Sequence, residues 1–159
     1  VRGDLTEICN KFVLSDLEWL GLPHRYSSSL QEEINACFVN DKASRTELTQ
    51  FRKDIPNAEN QDALFECGFI IRKNTPEVKS ASHKWLELYL RGPRRDQLHV
   101  LTALRSQDVK YGFLDFNLHD KHILEITAHN NSFLRLNFNR FRKAIKLIII
   151  WIFPINGSR

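Results

Sequence analysis

The strongest constraint on how this chain folds lies between residues 63 and 104. Leu64-Phe65-Glu66-Cys67-Gly68-Phe69-Ile70-Ile71-Arg72 is an apolar run with one acid inside it and one base at its end. Its length and content suit a buried strand. Asn74-Thr75-Pro76-Glu77 follows and reads as a helix start. Thr75 can serve as N-cap, Pro76 brings a preset φ and lacks only an N–H that would be orphaned anyway, and Glu77 favours the positive helix end. Val78, Ala81, Trp85, Leu88 and Tyr89 recur at helical spacing, which predicts an amphipathic helix over residues 76–90. Arg91-Gly92-Pro93 ends it, and Arg94-Arg95-Asp96-Gln97 opens another helix through Leu98, Leu101 and Leu104. Two arginines, a carboxylate and an amide therefore meet where a helix begins, a place for anion chemistry.

The remaining segments are shorter. Residues 4–14 carry Leu5, Ile8 and Phe12 at helical spacing, with Asp4 as cap. Residues 15–22 form a further short segment that Gly21 and Pro23 end, and residues 24–29 read as a loop. Ser29 caps a helix with Leu30, Ile34, Cys37 and Phe38 on one face, and Glu32 stands where it completes a capping box. Ser44 starts another helix with Leu48 and Phe51 inward, stopped before Pro56. Residues 109–114 and 123–126 are candidate short strands. Helices with a few buried strands make an α/β or α+β unit.

At 159 residues the chain is long enough for one domain with a sizeable core. The net charge of +4 implies a mild preference for phosphates or acidic lipid heads. With 19 acidic residues interspersed among the 23 basic ones, a dedicated nucleic-acid binder is not expected. Cys9, Cys37 and Cys67 are odd in number and lack C-x-x-C spacing, so they read as reduced core residues of a cytoplasmic-type compartment. The start at Val1 shows neither an initiator methionine nor a signal-peptide pattern, and the chain has no Met at all; we expect a fragment whose N-terminal part is missing, and a processed or trimmed chain would look the same. Residues 139–159 form a basic, apolar tail. Arg140, Arg142, Lys143 and Lys146 precede seven consecutive apolar residues, 147–153, far fewer than the roughly 20 that span a bilayer. This tail suits either an interfacial helix on an anionic membrane or a core strand or helix docking on a half missing from the chain.

Glu66 is the most telling ionisable residue. A carboxylate inside Leu, Phe, Cys, Phe and Ile must point at a polar site or be paired, unless it faces water from an edge strand. Arg72 is its candidate partner, or simply the strand end. At the second helix start, Asp96 could orient or deprotonate a hydroxyl while Arg94 or Arg95 and the helix amides hold a phosphate. The plainer reading is a capping carboxylate with solvated arginines. His24 and Arg25, in the loop before a capped helix, are candidates for a diphosphate, or are solvated loop residues. Glu32 and Glu33 read as helix caps. His119, His122 and His129 match no metal-ligand spacing, and His83 and His99 lie within helices.

The succession of these pieces resembles one glycosyltransferase family, the TOD/MUCI-like, hexosyltransferase-like group found in bacterial surface-polysaccharide loci and in plant Golgi proteins. Gly3-Asp4-Leu5 looks like the remnant of its D-G-x-hydrophobic segment, and His24-Arg25 with Glu32-Glu33 and Cys37 like its His-Arg loop with downstream acids. The run from Ala63 to Arg72 resembles its G-L-x-E-x-x-hydrophobic-x-R strand, and Trp85 its Trp-bearing helix. Arg95-Asp96-Gln97-Leu98-His99 is similar to its R-D-Q-L-S corner, and Asn131-Ser132-Phe133 to a later Asn-x-x-Phe element. The likeness covers about residues 3–133. It implies a GT-A-like α/β domain, residues 1–138, that lacks its N-terminal nucleotide-binding strands, followed by the tail at 139–159. The implied reaction moves a sugar from a nucleotide-sugar donor to a glycan or lipid-linked acceptor in surface-polysaccharide synthesis. Asp96 and Glu66 are then the expected catalytic residues, and His24, Arg25, Arg72, Arg95 and Gln97 the substrate-binding ones. Asp4 becomes a candidate ligand for a divalent metal, Mn or Mg. The expected location is cytoplasmic, peripheral at the inner face of the membrane. The rival expectation is a non-catalytic glycan- or membrane-surface-binding module built on the same fold.

Overall fold

The computed structural model describes residues 5–55 and 63–115, and in the tail residues 142, 143, 146, 147, 149, 150 and 155. Among these the elements run α1 (Thr6–Leu14), β1 (Trp19–Pro23), α2 (Leu30–Val39), α3 (Arg45–Asp54), β2 (Phe65–Arg72), α4 (Pro76–Arg91), α5 (Asp96–Arg105) and β3 (Tyr111–Phe113). The fold is mixed α/β. Its three-stranded sheet has the order β2-β1-β3, with β1 antiparallel to β2 and parallel to β3.

The central strand is the element that differs most from expectation. Gly21 and Pro23 do not end a segment before residue 23; they belong to β1. Trp19 joins the main core while Leu20 and Leu22 join a smaller cluster with Ile8, Phe69 and Leu114, the two-residue alternation of a strand covered on both faces. Gly21 is there for close approach, since a Cβ on it would stand 2.5 Å from Cδ1 of Phe65. Pro23, which has no N–H for the ladder, is the last residue of the strand.

The helices follow their caps. The Thr75 side chain accepts the Val78 N–H at 3.3 Å, Pro76 fills the first turn, and α4 runs to Arg91. Gly92 lets the α4–α5 turn close over His99, whose Cε1 would lie 2.8 Å from a Cβ at that position. The His99 Nε2–H donates to the Pro93 carbonyl at 2.8 Å. Ser44 and Glu47 form a full capping box on α3. On α2, Ser29 accepts the Glu32 N–H, but the Glu32 carboxylate takes the N–H and hydroxyl of Ser28, so the box closes one residue early. That helix ends at Val39 with Asn40 as C-cap, and Asp41 follows with φ 57°. The Asp41 N–H reaches the Phe38 carbonyl and the Lys42 N–H the Cys37 carbonyl, a Schellman ending with aspartate where glycine is usual.

The main core joins Trp19 and Phe65 of the sheet to Ile34, Leu48 and Phe51 of α2 and α3 and to Leu98, Leu101 and Leu104 of α5. The described part of the tail docks on α2. Lys146 donates to the Phe38 carbonyl at 2.9 Å, lies over the Phe38 ring and pairs with Asp41. Ile150 packs on the core, and Ile155 is buried with its carbonyl accepting from Gln31 Nε2. The seat of this segment is thus α2 of the chain itself. No helix among the described residues is long and apolar enough to cross a membrane. Asp4, the three histidines at 119, 122 and 129, and the candidate strand at 123–126 lie outside the described residues.

Candidate functional site

A bulge in β2 builds the site. Gly21 pairs with Ile70 but the next residue, Leu22, pairs with Glu66, so residues 67–69 are left out of the ladder. Bulges of this kind re-aim neighbouring side chains. Glu66 consequently meets α5, where its Oε1 accepts from Gln97 Nε2 at 2.7 Å. One residue past β1, the His24 N–H donates to the Leu64 carbonyl at 2.7 Å, which sets His24 at the same end of the strand pair.

The tautomer of His24 follows from its partners. Nδ1 accepts the backbone N–H of Ser27 at 3.0 Å and of Tyr26 at 3.3 Å, so the ring proton sits on Nε2. Nε2 lies 3.3 Å from Glu33 Oε2 and 3.9 Å from Glu66 Oε2, aligned with neither as a hydrogen bond. Glu33 is 3% exposed and stands at the centre of the group. Its Oε1 accepts from Arg95 Nε at 2.8 Å and its Oε2 from the Ser27 hydroxyl at 2.7 Å, with Cys37 Sγ 3.6 Å away. Burial works against the Arg95 charge, but the ion pair with Glu33 outweighs it and raises the guanidinium pKa. Burial, followed by the Glu33 charge, pushes the Cys37 thiol up to about 12, which keeps it protonated. Two buried polar atoms stay unpartnered here, His24 Nε2 and Gln97 Oε1. Buried polar groups rarely remain so.

His24, Ser27, Glu33, Cys37, Glu66 and Arg95 line a cleft of about 880 Å³, with Gln97 buried behind Glu66. Its buried part holds His24, Ser27, Glu33, Glu66 and Arg95, and its open part Asp41, Lys42, Arg142 and Lys143. A second groove of about 510 Å³ adjoins it and shares Lys42 and Arg95. Trp85, Leu86, Tyr89, Arg94 and Asp96 line that groove. Asp96 Oδ1 accepts the Gln97 N–H at 3.0 Å, and the Asp96 carbonyl accepts from Trp85 Nε1 at 2.9 Å.

Of the residues singled out from sequence, the fold gathers His24, Glu66, Arg95 and Gln97. Asp96 lies next door, across Arg95. Arg25 is exposed and does not itself line the cleft; its guanidinium lies 4.8 Å from the ring centroid of Tyr26, which does. Arg72 is not the partner of Glu66: it pairs with Trp19 at the far end of β2 and donates to Ser82. Ser27 and Glu33 are the residues that sequence reasoning missed. Their signal was present for Glu33, which falls three residues after Leu30 and four before Cys37, on the apolar side of α2. Arg95 is held by Glu33 rather than solvated, and Asp96 is the first helical residue instead of the cap.

Among the described residues no group of three or more His, Cys, Asp and Glu is arranged to hold a metal ion. Both Glu33 oxygens are already engaged, as is Glu66 Oε1. Comparison with protein-family models, curated proteins and solved structures finds no match to this chain.

Proposed function

We propose that this chain is part of the catalytic domain of a GT-A-like glycosyltransferase, in which the cleft takes the sugar diphosphate of a nucleotide-sugar and the adjoining groove the acceptor. The observation that carries this reading is the convergence of Glu66, Glu33, His24 and Arg95 on one polar cleft with three further cations in its open part. In glycosyl transfer the bond from the anomeric carbon to the diphosphate oxygen breaks, its electron pair leaves with the diphosphate, and the acceptor oxygen bonds to that carbon. The reacting sugar gains oxocarbenium character, which a nearby carboxylate stabilises, while cations stabilise the leaving diphosphate. Glu66 is the carboxylate for the sugar, because among the described residues its Oε2 has only the misaligned His24 as a charged neighbour. A sugar hydroxyl can accept from His24 Nε2, which lines the cleft and is otherwise an unpartnered buried atom. Arg95, pinned by Glu33, borders both hollows. On the acceptor side, the rings of Trp85 and Tyr89 offer apolar surface to a sugar, and Asp96 orients its hydroxyl or takes the proton.

The likeness to the family implies a divalent metal, but the donor atoms in the cleft are largely committed to one another and do not form a ligand set. A non-catalytic glycan-binding module is the second reading, and the saturation of Glu33 by Arg95 and Ser27 favours it.

The test is release of nucleoside diphosphate by the full-length protein from a panel of nucleotide-sugars, read by chromatography. Glu66→Gln should lower kcat by roughly 10²-fold or more. Release that is unchanged in that variant removes Glu66 from the reaction. Binding of a donor without release from any of them would favour the module.

A further inference from the structure

We infer that Arg142 and Lys143 of the C-terminal tail are diphosphate-binding residues of the cleft, held at its mouth by the docking of the tail on α2. This rests on the glycosyltransferase reading and names the residues that would meet the leaving group. The interior of the cleft needs them. It contains Glu33 and Glu66, and its one arginine, Arg95, is bound to Glu33. A diphosphate brought against two carboxylates requires further positive charge close by.

The tail supplies that charge. Arg142 Nη2 stands 3.2 Å from Asp41 Oδ1, and both Arg142 and Lys143 line the cleft. Lys146 first, then Arg142 and Lys143, hold the Asp41 carboxyl below its ordinary range, so three cations gather around one carboxylate. Of these three, Arg142 and Lys143 line the cleft, and Lys42, next to Asp41, is the third cation at its mouth. The attachment is made elsewhere, by Lys146 on the Phe38 carbonyl and by the apolar contacts of Ile150 and Ile155. Arg142 and Lys143 therefore stand at the mouth of the cleft before a ligand arrives.

The experiment titrates inorganic pyrophosphate into the full-length protein by calorimetry, with a nucleoside diphosphate and phosphatidylserine vesicles as parallel arms. Arg142→Ala/Lys143→Ala should weaken both diphosphates by roughly tenfold, with the difference shrinking as salt rises. Lys143→Ala alone, which leaves the Asp41 hydrogen bonds in place, should show part of that loss with an unchanged thermal midpoint. Lys79→Ala, exposed on α4, should show none of it. Equal pyrophosphate affinity in the double variant and the parent overturns the inference, as does a parent that binds no pyrophosphate. Loss of vesicle binding with pyrophosphate affinity kept would assign the two cations to a lipid surface and also overturns it. Nucleotide release, measured on the same samples, separates the two claims. Turnover with unaltered pyrophosphate affinity sinks only the tail assignment; weakened pyrophosphate binding without turnover on any donor sinks only the glycosyltransferase reading.

Discussion

Replacing Arg95 with methionine isolates the ion pair at the centre of the cleft. Methionine keeps much of the apolar stem and removes the guanidinium, leaving Glu33 without its 2.8 Å partner. Breaking a buried pair by removing one member costs about 3–5 kcal/mol. Here the cost should be smaller, because Glu33 keeps the Ser27 hydroxyl at 2.7 Å and Arg95 is itself 28% exposed. A loss of about 2–3 kcal/mol is expected, which for a domain of this size lowers the thermal midpoint by roughly 4–12 °C. Urea unfolding followed by tryptophan fluorescence is a suitable assay, since Trp19 and Trp85 meet edge to face in the core with centroids 5.9 Å apart. The slope with urea should stay constant while the midpoint falls. Glu33→Gln in the Arg95→Met background should recover part of the loss, giving a coupling of about 1–2 kcal/mol in the cycle, because a buried amide is cheaper than a buried unpaired carboxylate. A single variant with the parent midpoint, or a cycle that is additive, would refute the claim that this pair holds the cleft together.

Gly21→Ala should destabilise by about 1–3 kcal/mol through overpacking, since the new Cβ would collide with a Phe65 ring already stacked on Phe113 at 4.5 Å; an unchanged midpoint in urea would show that the ring has room to move. Burial lowers the His99 pKa below its ordinary value, so as pH falls the unfolded chain takes up the proton first. Its contribution to stability is therefore complete above about pH 6.5 and declines as pH drops through that value toward the depressed folded pKa. His99→Gln should flatten this part of the pH profile of the urea midpoint, and a profile with the parental slope would count against it.

What could be read from sequence was whatever rests on local chemistry. The start of α4 was legible because Thr75, Pro76 and Glu77 each act within one turn, and its apolar spacing repeats over several turns. Glu66 stood out because a charge among Phe, Cys and Ile demands a partner whatever the topology. The identity of that partner was not local. The β2 bulge decides where Glu66 points, and Arg72 ends up at the opposite end of the strand while Gln97 is brought in by α5. Gly21 and Pro23 misled for a related reason: both residues end elements when judged by their neighbours in the chain, whereas Gly21 is fitted to a ring that arrives from β2. Glu33 was obscured by its position in a helix start, where an acid already has a sufficient local explanation. The adjoining groove beside Asp96 depends on how α4 and α5 pack, which no pattern within either helix encodes.

Asp41 serves two masters. Its backbone occupies the left-handed conformation that glycine adopts without steric cost, while its carboxylate is the point to which Lys146 and Arg142 are tied. A glycine at that position would relax the end of α2 and remove one anchor of the tail in the same stroke, leaving Lys146 on the Phe38 carbonyl. The two effects have opposite signs, so a global melting curve is a poor witness to whether the tail is attached; amide exchange around residues 146–155 would see the difference.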